Sequence, residues 1–299
     1  MGKPDVPICD YEGSPWRTAF WPGREYEDRA ERIALRHLLP PRGRRLIEIG
    51  AGFGRLADLY RGYDQVILLD YSRSLLREGR ERIGRDPRFI YVAADLYQLP
   101  LADSAVDTAV TVRVLHHVVD IPRAFGEVAR IVRPQGTYVT DYANKRHLKA
   151  LIEYYRGHRA GKASPFSLDP YEFVALNYDY HPDYINQKLA GAGFQVHDTR
   201  AVSTFRIGAL KRLVPAPFLA SLDGLLQHPT ARLQITPSLF LKTEATKRGA
   251  PEVNAALWRC PRCSSTEIAE QAEGLACQSC QARYPRADGI YDFKTVREY

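Results

Sequence analysis

The sequence predicts a doubly wound α/β domain built on a mostly parallel sheet, followed by a small cysteine-rich module. Three observations lead there. Short, nearly continuous apolar runs alternate with amphipathic helical patterns between residues 45 and 142, three glycines occupy alternate positions where the first run ends, and four of the five cysteines form two C-x-x-C pairs near the C-terminus. Strands that read as unbroken apolar runs are buried on both faces, which a parallel sheet covered by helices on either side provides.

Residues 1–23 are rich in Pro, Gly and aromatics, and Trp16, Phe20 and Trp21 are apolar enough to fold this arm back onto the domain. Over 24–39, Ala30, Ile33, Ala34 and Leu38 recur at helical spacing until Pro40 and Pro41 stop the helix. Strands are expected over 45–49, 65–70, 89–93, 107–112 and 137–142, with helical patterns over 56–60, 74–83 and 122–132. A segment over 145–178 interrupts the regularity, basic at first (Lys145, Arg146, Lys149, Arg156, Arg159, Lys162) and then aromatic. Its cationic start suits either an anionic substrate or a solvated helix face. A helix over 182–189, a strand over 194–202, an apolar and basic helical stretch over 207–226 and a last strand over 237–242 complete a domain of residues 1–242. Residues 145–178 and 205–234 are its inserts, 243–256 read as a linker, and 257–299 as the module.

The formal net charge of +7 and isoelectric point near 9.1 suit an acidic partner such as nucleic acid, a phosphorylated substrate or an anionic lipid. No apolar run approaches the roughly 20 residues that span a bilayer, and residues 1–12 lack the apolar stretch of a signal peptide, so a cytoplasmic protein is expected. Paired cysteines with Cys9 standing alone fit metal chelation in a reducing compartment better than a disulfide framework.

Gly50, Gly52 and Gly54 lie where the first strand must turn. Glycines there let the backbone turn tightly and approach a ligand at the strand end, where open α/β sheets bind. The spacing G-x-G-x-G, with Arg55 and Leu56 following, departs from the dinucleotide fingerprint. Glu48, Asp70 and Asp95 bring a carboxylate to the end of three successive strands, an edge that repels a pyrophosphate but accepts an ammonium, a sulfonium, a ribose and an adenine.

Leu46 to Gly54, V-I-L-L-D-Y-S over 66–72, A-D-L-Y-Q-L-P over 94–100, D-T-A-V-T-V-R-V-L-H-H-V over 107–118 and A-R-I-V-R-P-Q-G over 129–136 together resemble the class I S-adenosylmethionine (SAM)-dependent methyltransferases of the methyltransferase type 11 group, which includes quinone and other small-molecule methyltransferases. The likeness runs over about 24–242. It implies a Rossmann-like sheet of seven strands with the seventh antiparallel. It also implies that Gly50, Gly52 and Gly54 flank the methionine part of SAM, Asp70 holds the ribose, Asp95 and Leu96 hold the adenine, and Arg113 lies beside the cofactor, with Glu48, Ala51 and Tyr71 in the same binding set.

Methyl transfer is an in-line displacement on an activated sulfonium, so positioning the acceptor supplies much of the rate and a base is needed only where a proton must leave. His116, His117, Asp141 and Tyr142 lie near the strand ends, with His117 and Asp141 the candidate bases, and Arg24 and Tyr26 could close the pocket. The resemblance points to a small or lipophilic metabolite as acceptor. The basic balance keeps RNA or protein as an alternative acceptor, and a non-catalytic SAM-binding regulator is a third reading. The stretch over 207–226 reads as a lid, a peripheral membrane contact or a plain packing helix.

Cys260 and Cys263, with Cys277 and Cys280, can enclose one zinc ion in a closed tetrahedral site that stabilises fold and leaves no position for chemistry. Residues 258–293 resemble the Trm112-type zinc ribbons that accompany methyltransferases, with Arg286 standing where an apolar residue is usual. The charges of the module nearly balance, Arg259, Arg262, Arg283, Arg286, Lys294 and Arg297 against Glu267, Glu270, Glu273, Asp288, Asp292 and Glu298, which does not make a nucleic-acid clamp.

Overall fold

The computed structural model describes residues 6–15, 18, 20–157, 163–250 and 252–295; Trp16, Arg159, Lys162, Arg297 and Glu298 lie outside them. Helix α1 (Glu25–Leu38) precedes β1 (Gly43–Ile49), β2 (Tyr63–Asp70), α2 (Arg73–Ile83), β3 (Phe89–Ala93), β4 (Val106–Thr111), α3 (Ile121–Ile131) and β5 (Val132–Ala143). The first insert holds α4 (Leu148–Tyr155) and a separate hairpin, β6 (Tyr171–Val174) with β7 (Asn177–Asp179). Then follow α5 (Pro182–Gly191), β8 (Phe194–Val202), α6 (Gly208–Leu213), α7 (Ala216–Leu226) and β9 (Ser238–Ala245), and the cysteine module adds β10 (Ile268–Gln271), β11 (Gly274–Cys277), β12 (Arg283–Ala287) and β13 (Ile290–Asp292).

Among the described residues, eleven strands form one sheet in the order β10-β11-β12-β13-β3-β2-β1-β4-β5-β9-β8. The run from β3 to β5 is parallel, and β9 enters antiparallel between β5 and β8. The apolar runs are unbroken because alternate side chains serve opposite faces. Ile47, Ile49, Ile67 and Leu69 join a core with α3 and α5, whereas Leu46, Val66 and Leu68 join one with α1, α2 and α7.

The expected seven strands are exceeded because the cysteine module is not a separate bead. Its last strand, β13, pairs in parallel with β3, Ile290 opposite Tyr91 and Asp292 opposite Ala93, and the Phe293 N–H donates to the Ala93 carbonyl at 2.9 Å. Trp258 packs on Tyr291 and Phe293, and Arg73 reaches Asp292 at 3.3 Å. An otherwise open sheet edge is thereby covered. Arg286 lies over the Tyr291 ring and 3.5 Å from Glu270, so the departure from an apolar residue is absorbed within the module.

Three further expectations change. Residues 243–245 belong to β9, and the rest of the expected linker is moored: Asn254 donates from its N–H to Ser104, Arg45 donates to the Asn254 carbonyl at 2.7 Å, and Lys247 donates to the carbonyls of Ala129 and Arg130. The pattern over 56–60 gives one 3-10 turn, Ala57–Leu59, because the chain has only the span from Gly54 to β2 in which to turn. The stretch over 207–226 is two helices, divided at Pro215, whose ring forbids continuation.

Candidate functional site

β1 delivers the chain into a turn in which Gly50 has φ +74° and Gly52 φ +53°, a region that L side chains rarely adopt. A Cβ on Gly50 would also lie 2.3 Å from Val114 Cγ2. Gly50 and Ala51 donate to the Leu69 carbonyl at 2.8 and 3.0 Å, and the Asp70 carboxylate accepts the N–H of Gly52 at 2.7 Å and of Ser72 at 2.8 Å. The tip of β2 thus holds the loop in place. Burial pushes the Asp70 carboxyl up to about 6 despite those two donors. Gly54 does not line the cavity; it makes room for Ile83 and Leu68, which a Cβ would meet at 2.9 and 3.2 Å.

Above the loop opens a cavity of about 1040 Å³, counted to its open mouth. Strand order sets its long axis: Asp95 follows β3, Asp70 ends β2, Glu48 and Gly50 lie on and after β1, and Arg113 follows β4. At the β3 end, Asp95 accepts the Tyr97 N–H at 2.8 Å, and Leu96 and Tyr71 complete the wall. At the β4 end, Arg113 (φ +60°) is held from two sides. Its N–H donates to Asp141 at 2.6 Å, and its guanidinium pairs with buried Glu31, which also takes Arg55 at 2.8 Å. The guanidinium carbons of Arg55 and Arg113 lie 4.2 and 5.2 Å from the centre of the Trp21 ring.

Three polar atoms among the lining residues are buried without a hydrogen bond of ordinary geometry: the donors Trp21 Nε1 and Arg113 Nε, and the acceptor Glu48 Oε2, whose carboxylate has the buried Tyr60 hydroxyl nearby. Buried polar groups are otherwise satisfied in nearly every protein, so such a cluster marks a place where a ligand supplies the partners. Burial raises the Glu48 carboxyl to about 7, which Arg55 and the Tyr60 hydroxyl only partly offset.

The candidate bases separate. His117 lines the cavity; its Nδ1 lies 2.9 Å from the Leu176 carbonyl and its Nε2 2.9 Å from the Tyr11 hydroxyl. A carbonyl only accepts, so Nδ1 carries the proton and Nε2 receives the phenol. Burial lowers the His117 pKa, which keeps the ring neutral near pH 7. Asp141 is buried behind the cavity and raised to about 7 by desolvation; it lines no part of the cavity and its reachable work is to hold Arg113. Tyr142 and His116 also sit behind the lining, and the Tyr26 hydroxyl is spent on Asp223 at 3.0 Å and the Phe205 N–H at 2.9 Å. Arg24 stays outside, over the Phe20 ring at 3.9 Å.

Sequence reasoning missed the contribution of the N-terminal arm. Pro7, Ile8, Cys9 and Tyr11 line the cavity, and the arm is latched where Glu12 accepts the Ser74 N–H at 3.2 Å and Gly13 donates to Ser74 Oγ at 2.9 Å. The only signal was its apolar and aromatic composition.

In the module, the sulfurs of Cys260, Cys263, Cys277 and Cys280 all lie within 4.8 Å of one another, with Cys260 to Cys280 at 3.6 Å and Cys263 to Cys277 at 3.5 Å. A tetrahedral ion with thiolates at about 2.3 Å sets sulfurs roughly 3.8 Å apart, so the four fit one metal.

Residues 47–140 match the family model described as a methyltransferase domain. This stretch is similar to methyltransferase domains. It contains the glycine turn, Asp70, Asp95, Arg113 and His117. Among curated proteins the chain is similar to an uncharacterized chloroplastic methyltransferase of Arabidopsis thaliana, 30% identical over 134 residues, covering 42% of this chain and 38% of the relative. It is also similar to a demethylmenaquinone methyltransferase of a Roseiflexus species, 34% identical over 129 residues, covering 42% and 53%. The chain thus spans about half or less of these relatives' length. An SAM-dependent methyltransferase structure from Mesorhizobium loti aligns with a TM-score of 0.54 at 22% identity, over 72% of this chain and 97% of that one. The methyltransferase fold is therefore shared, with a sheet wider than the seven strands expected.

Proposed function

We propose that this protein transfers the methyl group of SAM to a small lipophilic acceptor. The unsatisfied atoms of Trp21 and Arg113, with that of Glu48 on the neighbouring β1, carry the cofactor assignment. Two donors and one acceptor, buried together, complement the carboxylate and the ammonium of a zwitterionic amino acid, which is the methionyl end of SAM. Trp21 and Arg113 would hold the carboxylate, and Glu48 the ammonium. Asp70 would take the ribose hydroxyls, since a carboxylate has about four acceptor sites and the backbone fills two. Asp95, Leu96 and Tyr71 would enclose the adenine, and Gly50, Ala51 and Gly52 let the backbone come close.

The bound cofactor supplies an activated methyl group. The chain then has to align the acceptor, exclude water and remove a proton where one must leave. The arm over the cavity, with Pro7, Ile8 and Tyr11, provides an apolar cover. His117 would receive a proton at Nε2, directly or through the Tyr11 hydroxyl bound to it. A lipophilic acceptor is supported by this apolar cover and by likeness to a protein named demethylmenaquinone methyltransferase. In the module the four thiolates would hold a structural zinc ion in a Trm112-like ribbon, without an open coordination position.

Calorimetry with SAM and with 5′-methylthioadenosine, which lacks the amino-acid end, tests the cofactor assignment. Trp21→Phe keeps the ring and removes the N–H; it should weaken SAM by about tenfold or more, the worth of one hydrogen bond to a charged group, and leave 5′-methylthioadenosine unchanged. Equal loss for both ligands would remove the assignment of this end. Incubating cell extract with the protein and methyl-labelled SAM should place label in the lipid-soluble small-molecule fraction; label in RNA or protein, or in nothing, would overturn the acceptor class.

A further inference from the structure

Residues 204–234 leave the carboxyl end of β8, which runs parallel to β5, so they emerge on the same edge of the sheet as the cavity. Their two helices are poorly covered. Relative exposure is 83% for Leu213, 76% for Leu225, 64% for Phe218 and 58% for Ile207, and Leu222 and Leu233 are also exposed. In α7, Phe218, Leu222 and Leu225 form one stripe at helical spacing, while Leu219, Ala220 and Asp223 are buried on the other side, where α7 packs on α1. The stripe is therefore surplus to the core.

The segment's own exposed charges have one sign. Arg206, Arg212 and Arg232 are exposed, Arg206 lying 3.9 Å from Glu27, and Lys211 is paired with Glu27 at 2.7 Å. The segment's one acid, Asp223, is buried and takes the Tyr26 hydroxyl and the Thr204 N–H. The segment thus carries an apolar stripe and cations with no exposed acid of its own, and the exposed acid beside Arg212 and Leu213, Glu25 of α1, is paired with Arg29 at 2.9 Å; this combination matches an anionic bilayer surface in both of its attractive components. No helix of the described residues is long and apolar enough to cross a membrane, so the contact is peripheral.

We propose that the α6–α7 face docks this protein on anionic lipid bilayers and brings the cavity edge to the lipid interface, where a lipophilic acceptor resides. The use made of docking rests on the lipophilic-acceptor reading above; docking itself is measured without catalysis. A second copy fits less well, since a two-fold contact would set these cations against one another. Nucleic acid would use the cations and leave the aliphatic stripe in water.

The test is co-sedimentation of the full, zinc-loaded chain with vesicles of phosphatidylcholine alone and of phosphatidylcholine mixed with phosphatidylglycerol. Binding should require phosphatidylglycerol and weaken as salt rises. The exposed triple change Leu213→Ser, Phe218→Ser and Leu225→Ser should lower vesicle partitioning by about tenfold or more while SAM affinity stays the same, and Arg212→Gln with Arg232→Gln should flatten the salt dependence. No binding to the mixed vesicles, or binding indifferent to the triple change, overturns the proposal. So does a dimer in light scattering that the triple change dissolves, or a preference for RNA over vesicles in competition. Vesicle binding by a protein that fails to bind SAM would keep this inference and remove the function proposed above.

Discussion

Glu48 and Asp70 face one cavity with carboxyls that burial raises to about 7 and about 6. Both lie above their ordinary values, so between about pH 4 and 7 the folded chain holds protons that an unfolded chain has released, and folding stability falls as pH rises through that window. An ammonium placed against Glu48 reverses the preference and draws its pKa down. SAM binding should therefore release a proton near pH 6 to 7 and tighten as pH rises from about 5 to 7.5. Calorimetry in two buffers of different ionisation enthalpy reads that proton directly, and Glu48→Gln should abolish it; affinity flat with pH would contradict the pairing. At this scale the sequence placed Asp70 and the glycine turn at neighbouring strand ends, and the structure adds that the Asp70 carboxylate holds the turn through the Gly52 N–H. Asp141, a carboxylate near a strand end, looks available in the sequence, and only the fold reveals that it lies behind the cavity lining and accepts the Arg113 N–H. Trp21 and Tyr11 were not readable as site residues, since an arm without periodicity does not say which strand ends it crosses.

The glycine turn makes a prediction that separates space from backbone strain. Ala at Gly52 would meet nothing nearer than Leu75 Cδ1 at 4.0 Å, so it should cost only the left-handed conformation, about 1–2 kcal/mol. Gly50→Ala adds the 2.3 Å approach to Val114 and should destabilise clearly more in a urea titration. Equal midpoints would show that Val114 gives way. Among the elements, β3 and β8 matched their expected bounds because each is an unbroken apolar or β-branched run with turn residues outside it. The pattern over 56–60 did not extend to an α-helix, since a periodic pattern needs chain length as well as spacing. β13 was illegible for the same reason: Ile290–Asp292 is too short to announce a strand, and its partner lies far away in sequence.

On the scale of the whole molecule, the cysteine module and the α/β domain form a single sheet. With a metal held by the four cysteines as proposed, a module this small would rely on it for order. Chelation should release β13, raise hydrogen exchange along residues 89–93 and lower the thermal midpoint; unchanged exchange there would show that the strand docks without metal. The release should also reach the cavity, because Lys294 lies over the Tyr71 ring at 4.3 Å and Asp292 pairs with Arg73 at 3.3 Å. The double winding was legible because each parallel strand must be apolar on both faces. The extra width was not, because strand addition is decided by backbone edges that carry no side-chain pattern.

The pairing of Ile290 with Tyr91 joins segments made at very different moments of translation. As the chain leaves the ribosome, β3 and its neighbours can assemble early, yet the flank of the cavity bearing Tyr71 waits for Lys294, made long after them. A nascent chain would meanwhile present a bare hydrogen-bonding rim, which makes β3 the place where a chaperone or a stray strand would engage it first.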